Sequence, residues 1–244
     1  MQSYNKTVKS KTVPVFIAIC GLAIAGSVIF GTRASHSANI DNNQNEVVTR
    51  KEILDVDKAQ VNKKLNKLQY AISYALDGER SISQGIGNVL KFDSEKIKFA
   101  FMLVSEDGNN SKMKRNVSPD GTGVTGYLAV DKGYFIDYYQ DLFYTGVNEE
   151  LLSDIFVEKD GYLYGSIMNG ILMSTETYKV NTVTKENDDY EILIDVLVIN
   201  YDDESELKYM AEEVTEYPLD AVSYQIKLNV TKTDTGYTIN SMVA

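Results

Sequence analysis

The sequence predicts an α+β fold, in which a long helix and shorter helices pack on a C-terminal antiparallel sheet behind an N-terminal transmembrane helix. Three observations carry this expectation. Residues 13–31 form an uncharged run, V-P-V-F-I-A-I-C-G-L-A-I-A-G-S-V-I-F-G. At about 1.5 Å per residue it spans roughly 28 Å, close to the hydrocarbon thickness of a bilayer. Between Val61 and Ala75 apolar residues recur at steps of four and three, the period of one helix face. In Y-Q-I-K-L-N-V-T-K, from Tyr224 to Lys232, they alternate with polar residues, the period of a strand with one wet face. With 244 residues and 43% hydrophobic content the chain can bury a sizeable core, which excludes global disorder.

Residues 1–12, with Lys6, Lys9 and Lys11, are expected as a cytoplasmic tail, and 13–31 as the transmembrane helix. Only Arg33 stands close after the run, and the first acidic residue is Asp41, so the positive-inside rule puts everything beyond Gly31 outside the cell. A cleaved signal peptide has a shorter apolar stretch, about 7–15 residues, and an A-x-A-like site, which Thr32-Arg33-Ala34 and Ser37-Ala38 match poorly. A lipoprotein cut before Cys20 would need a small residue where Ile19 stands, and would split the apolar run. Residues 32–45 are polar and poor in core formers, the composition of a flexible spacer that includes His36, the single histidine.

Residues 46–244 are read as one extracytoplasmic α+β domain. Its first helix is expected from Glu46 to Asp77, with the stripe Leu54, Val61, Leu65, Leu68, Ile72 and Ala75, stopped by Gly78. Such a stripe suits a helix covering a sheet better than a coiled coil, because only about two heptads are regular. Residues 78–92 read as a loop. Asp93-Ser94-Glu95 supplies capping chemistry for a second helix ending near Ser105. Asp107 to Gly123 is expected as a long loop, Asp131 to Tyr144 as a third helix and Asn148 to Phe156 as a short fourth. Strands are expected at Tyr162–Met168, Ile171–Lys185, Tyr190–Tyr201, Ala221–Lys232 and Tyr237–Val243, broken by turn formers such as Glu186-Asn187-Asp188-Asp189.

Composition narrows the chemistry. A net charge of −11 has the wrong sign for neutralising phosphates, so no nucleic-acid partner is expected. One His and one Cys leave no disulfide framework, no thiolate zinc cluster and no His-dependent triad, and neither a cofactor nor a metal site is expected. Gly121-Thr122-Gly123-Val124-Thr125-Gly126 satisfies G-x-G-x-x-G, but the dinucleotide fingerprint needs a helix immediately after it, and Y-L-A-V follows instead. The acidic groups Glu186/Asp188/Asp189 and Asp202/Asp203/Glu204/Glu206 flank one strand and lie more than about 30 Å apart, too far for a shared site. Tyrosine is the residue in excess: there are seventeen and no tryptophan. Tyr134, Tyr138, Tyr139, Tyr144, Tyr162 and Tyr164 are the candidate partner-binding residues, since tyrosines give amphipathic contact area at low entropic cost. Core packing is the alternative use for the same side chains.

The aromatic helix, L-F-Y-T-G-V-N-E-E-L-L-S-D-I-F, E-K-D-G-Y-L-Y and the closing K-L-N-V-T-K-T-D-T-G-Y-T-I-N-S-M together resemble exported Gram-positive domains. The nearest resemblance is to the cell-wall DL-endopeptidase inhibitor (IseA-like) family, and more loosely to NTF2-like accessory domains. The resemblance implies a non-enzymatic module engaging a wall hydrolase or a membrane-assembly partner. The expectation is a single-pass membrane protein, cytoplasmic at its N-terminus, whose outer domain binds an envelope protein or peptidoglycan. The alternatives are a structural subunit of an export, conjugation or sporulation complex, and a carboxylate-dependent wall hydrolase.

Overall fold

Asp57 sets the start of the long helix. Its side chain accepts from the Gln60 N–H (3.2 Å) and its carbonyl from the Val61 N–H (3.1 Å). Helix α1 therefore runs Lys58–Leu76, not from Glu46. The residues before the cap are extended: Glu52–Ile53 form a short strand, β1, and the Leu54 N–H donates to the Val183 carbonyl at 2.9 Å. Leu54, expected at the head of the helical stripe, thus belongs to a sheet edge. The rest of the stripe, Val61, Leu65, Leu68, Ile72 and Ala75, is buried.

The computed structural model describes residues 51–76, 88–105, 111–123, 126–166, 176–199, 203–234 and 236–244. The expected tail, membrane run and spacer, and the helix stop at Gly78, lie outside the described residues. Among the described residues no helix is long and apolar enough to cross a membrane.

The fold is α+β, with helices packed on antiparallel sheets. Helices α2 (Asp93–Ser105), α3 (Lys132–Phe143), α4 (Glu149–Ile155) and the single-turn α5 (Glu204–Leu207) follow α1. Asp131 caps α3 by accepting from the Tyr134 N–H (2.9 Å), and Asn148 caps α4 through the Glu150 N–H (3.1 Å), so both helices begin where their capping residues predict. Strands β2 (Met113–Arg115), β3 (Tyr127–Asp131), β4 (Val157–Lys159) and β5 (Tyr162–Ser166) precede the long strands β6 (Glu176–Glu186), β7 (Asp189–Val198), β8 (Val222–Lys232) and β9 (Tyr237–Val243).

The larger sheet has the order β1-β6-β7-β8-β9, a meander whose β6–β7 hairpin turns at Asn187, φ 56°, one of the few non-glycine residues that tolerates this region. Tyr178, Val180, Ile192, Ile194, Val196, Ile226, Leu228 and Val230 face the helices, where α1 lies on β6 and α3 on β9. The far edge, β9, is blunted: Asn88 bridges Val243, and the Val89 N–H donates to the Met242 carbonyl (2.7 Å).

A second sheet, order β2-β3-β5-β4, was not expected from the sequence. Its strands are three to five residues long, too short to show alternation; β2 falls within the expected loop, and β3 and β4 in stretches for which no element is expected. Leu128, Val130 and Leu163 join it to the same core as α2. Gly165 makes the close approach possible. A Cβ there would lie 2.7 and 2.9 Å from the Phe101 ring, which is fully buried and stacked on Phe156 at 4.3 Å. Glycine is needed at this position for space rather than for backbone freedom.

The edge of β6 is closed in an unusual way. β1 pairs only with Thr184 and Lys185. Farther along, the N–H groups of Tyr178 and Val180 donate to the side-chain carbonyls of Asn66 (3.0 Å) and Asn62 (2.8 Å), one turn apart on α1. Asn62 is fully buried and its amide also donates to the Glu212 carbonyl (3.0 Å). The helix thus supplies, through two side chains, acceptors that a neighbouring strand would otherwise present. Asn62→Ala is expected to cost about 2 kcal/mol, because it strands a buried N–H and a carbonyl together, read as a lower midpoint in urea unfolding.

Candidate functional site

The six tyrosines do not form one surface. Tyr134, Tyr138, Tyr139 and Tyr164 are buried, Tyr139 to 1% exposure, and Tyr139 packs against Phe143 and Phe135 at 4.9 and 6.3 Å between centroids. Burial, with the nearby Asp93 charge, pushes the Tyr139 hydroxyl up to about 12. Tyr162 is half-buried beneath the Lys114 ammonium, 3.8 Å from its ring centroid. Tyr144 alone is widely exposed, at 80%, in the left-handed cap that ends α3. Asp131, which precedes α3, pairs with Tyr162, so the twelve-residue helix separates Tyr144 from that ring by about 18 Å. Of the candidate binding residues, these two remain available to a partner, at opposite ends of one helix.

The start of the glycine-rich segment, with Ser118 to Thr122, is a self-satisfied turn; Val124 and Thr125 lie outside the described residues. Asp120 accepts from the hydroxyl of Ser118 and from the N–H (2.9 Å) and hydroxyl (2.7 Å) of Thr122, and these bonds hold its carboxyl down to about 2. Strand β3 follows it, so no helix N-terminus stands ready for a phosphate. The Lys159 ammonium, on β4 at the far edge of the smaller sheet, reaches the Pro119 carbonyl at 2.7 Å and ties this turn to that edge. The two acidic groups sit at opposite ends of β7; Asp203 caps α5 through the Ser205 N–H (2.8 Å), and Asp202 lies outside the described residues. Among the described residues no three His, Cys, Asp or Glu side chains group to hold a metal ion.

The unexpected chemistry is on the outer face of the larger sheet, opposite the helices. This face was expected to be wet, yet Lys179 is fully buried and Asp195 is 1% exposed. They stand opposite each other on β6 and β7, covered by the segment 204–218. The Lys179 ammonium donates to the Ala211 carbonyl at 2.5 Å, and Asp195 accepts from Asn181 (2.9 Å), the Tyr217 hydroxyl (2.9 Å) and Gln225 (2.7 Å). Two strap residues are therefore tied to two strands by buried polar bonds. Desolvation pulls the Lys179 amine down to about 8, against the opposing charges of Glu213 and Glu212. The same burial, with the Asp195 charge, raises the Tyr217 hydroxyl. Sequence reasoning missed Lys179 and Asp195, because their burial depends on a strap with no regular period.

Farther along the same face, toward the β6–β7 hairpin, lies a cavity of about 250 Å³. The cross-strand row Thr184, Glu191 and Asn229 lines it, together with Glu186 and Asp189 from the next row. Lys51 and Asn240 stand at its sides. Glu191 meets the ammonium groups of Lys51 (3.3 Å) and Lys227 (3.4 Å). Desolvation raises its carboxyl, but the bonds and charges of the two lysines outweigh this and leave it below the ordinary range. On the opposite, helix-facing side, burial raises the Glu176 carboxyl at the end of β6, beside the buried Tyr178.

Fold and site together define an α+β domain of two antiparallel sheets about a shared helical core, with a strapped and partly hollowed outer sheet face. In comparisons with known proteins the chain matches no protein-family model, no curated protein and no solved structure.

Proposed function

We propose that this chain is a single-pass membrane protein, cytoplasmic at its N-terminus, that holds its α+β domain outside the cell as a non-enzymatic binding module for an envelope protein or peptidoglycan. The observation that carries this reading is the uncharged run 13–31 with three lysines before it and all 35 acidic residues after it. The resemblance of the aromatic helix and the closing meander to wall-hydrolase inhibitors supports a contact role. So does the use of the titratable groups on the strapped face: Lys179 and Asp195 are engaged in holding the strap. A free stalk is disfavoured, because the apolar stripe of α1 is spent on the domain's own core.

The test uses the full chain in its native membrane. Protease added to spheroplasts is expected to remove a C-terminal tag and leave an N-terminal tag protected, and crosslinking in intact cells is expected to trap a wall hydrolase or another envelope protein. A protected C-terminal tag would overturn the topology. Titratable hydrolase activity lost on changing one Asp or Glu would overturn the non-enzymatic role.

A further inference from the structure

The cavity beside the β6–β7 hairpin has more spare hydrogen-bond acceptors than donors. One side-chain N–H of each of Asn229 and Asn240 is used, on Ser241 (2.8 Å) and Thr231 (2.7 Å), which leaves each its carbonyl oxygen and its second N–H. The Glu186 carboxylate has no hydrogen bond or ion pair among the described residues, and the Thr184 hydroxyl is buried without a partner. With the two oxygens of the Glu186 carboxylate added to the two amide carbonyls, free acceptors outnumber free donors, which favours an occupant that donates. Charge points the same way: Glu186, Asp189 and Glu191 line the cavity, and the two ammonium groups nearby, Lys51 and Lys227, both pair with Glu191. An anionic ligand would meet three carboxylates. The protein itself shows which group suits them, since two alkylammonium groups converge on Glu191, both on largely solvent-exposed side chains that can yield. At about 250 Å³ the space lies just below the roughly 300–1,000 Å³ of ordinary small-molecule pockets, enough for one sugar ring or one amino-acid side chain.

We propose that this cavity binds a small ligand through a primary ammonium group placed between Glu186 and Glu191, with adjoining hydroxyl or amide N–H groups donating to Asn229 and Asn240. Two sources present this chemistry: an amino sugar with an unacylated amine, and the side-chain amine of a lysine-type residue in a peptide. The inference rests on the binding-module reading and gives it a ligand class. Lys51 is the built-in competitor, and it leads directly into β1, the first strand after the spacer.

The experiment titrates the full-length chain in detergent micelles with glucosamine, Nα-acetyl-lysine methylamide and N-acetylglucosamine, followed by calorimetry or saturation-transfer NMR. One of the two amines is expected to bind at millimolar concentration or tighter, and the tighter one identifies the source. N-acetylglucosamine, which lacks the ammonium, is expected to bind at least about tenfold more weakly. Glu186→Gln is expected to weaken amine binding about fivefold or more, and Lys51→Ala to strengthen it severalfold by removing the competitor. A gain of affinity cannot arise from misfolding, so the second variant keeps the test decisive if the first is unstable. No binding of either amine, equal binding of the acetylated sugar, or tightening absent in Lys51→Ala would overturn the site. Capture of an envelope partner without amine binding would overturn this site and leave the binding-module reading standing.

Discussion

Asp195→Ala is expected to destabilise the domain by about 3–5 kcal/mol, the largest effect of any single substitution on the strapped face. The carboxylate is 1% exposed and gathers donors from three places: Asn181 on β6, Gln225 on β8 and Tyr217 on the strap. Alanine leaves all three without an acceptor, beneath a segment that keeps water out, at the position cross-strand from the buried Lys179. Equilibrium unfolding in urea should show the loss as a lower midpoint, and limited proteolysis should cut first within 204–218, where the strap has lost the Tyr217 bond. Tyr217→Phe is the graded control. It removes one donor and leaves the hub, and is expected to cost about 1 kcal/mol. A change below 1 kcal/mol in Asp195→Ala would mean that the strap is held by something other than this cluster.

The second large effect is a pH dependence of opposite sign to alkaline denaturation, a gain of stability as the solution is made basic. Burial holds the Lys179 amine at about 8 in the folded chain, against an ordinary value of 10.5. Between these two values the unfolded chain binds more protons than the folded one, so stability rises with pH across that window. The contribution reaches about 2 kcal/mol between pH 8 and 9.5, at about 1.36 kcal/mol per unit. Above pH 10 the buried tyrosines oppose it, because Tyr217 and Tyr224 hold their protons in the folded state longer than in the unfolded one. The measurement is therefore made from pH 7.5 to 9.5. Wild-type stability should carry the rising contribution and Lys179→Met should lack it, whatever its stability at pH 7. Equal slopes in the two proteins would show that the amine is not desolvated as the packing implies.

These two side chains also mark where sequence reasoning stops. Asp195 takes its place on the outer face from the alternation of β7, whereas Lys179 shares that face with Thr184 only because β6 bulges between Val180 and Thr182. Their burial does not follow. It is caused by residues 204–218, a segment with one short helix turn and no repeating pattern, whose position is known only once Tyr217 and the Ala211 carbonyl meet their partners. The tyrosines show the converse. An excess of tyrosine is equally compatible with a surface and a core, and α3 resolves it by turning Tyr134, Tyr138 and Tyr139 inward while its left-handed cap leaves Tyr144 outside.

What the sequence determined by itself is whatever depends on neighbours along the chain. Asp131 and Asn148 mark the starts of α3 and α4, Asp93 the start of α2, and alternation the strands β8 and β9, because caps and periodicity are local properties of the backbone. The uncharged run and its flanking lysines are local in the same sense. Only the tertiary structure decided the second sheet, the strap over Lys179 and Asp195, the asparagine-closed edge of β6, and the cavity that gathers Lys51, Glu186, Glu191 and Asn229. Each of these joins residues far apart in sequence through short strands, single hydrogen bonds or side-chain contacts. Such contacts leave no repeating signal along the chain, and their energy exists only when distant segments have already been brought together.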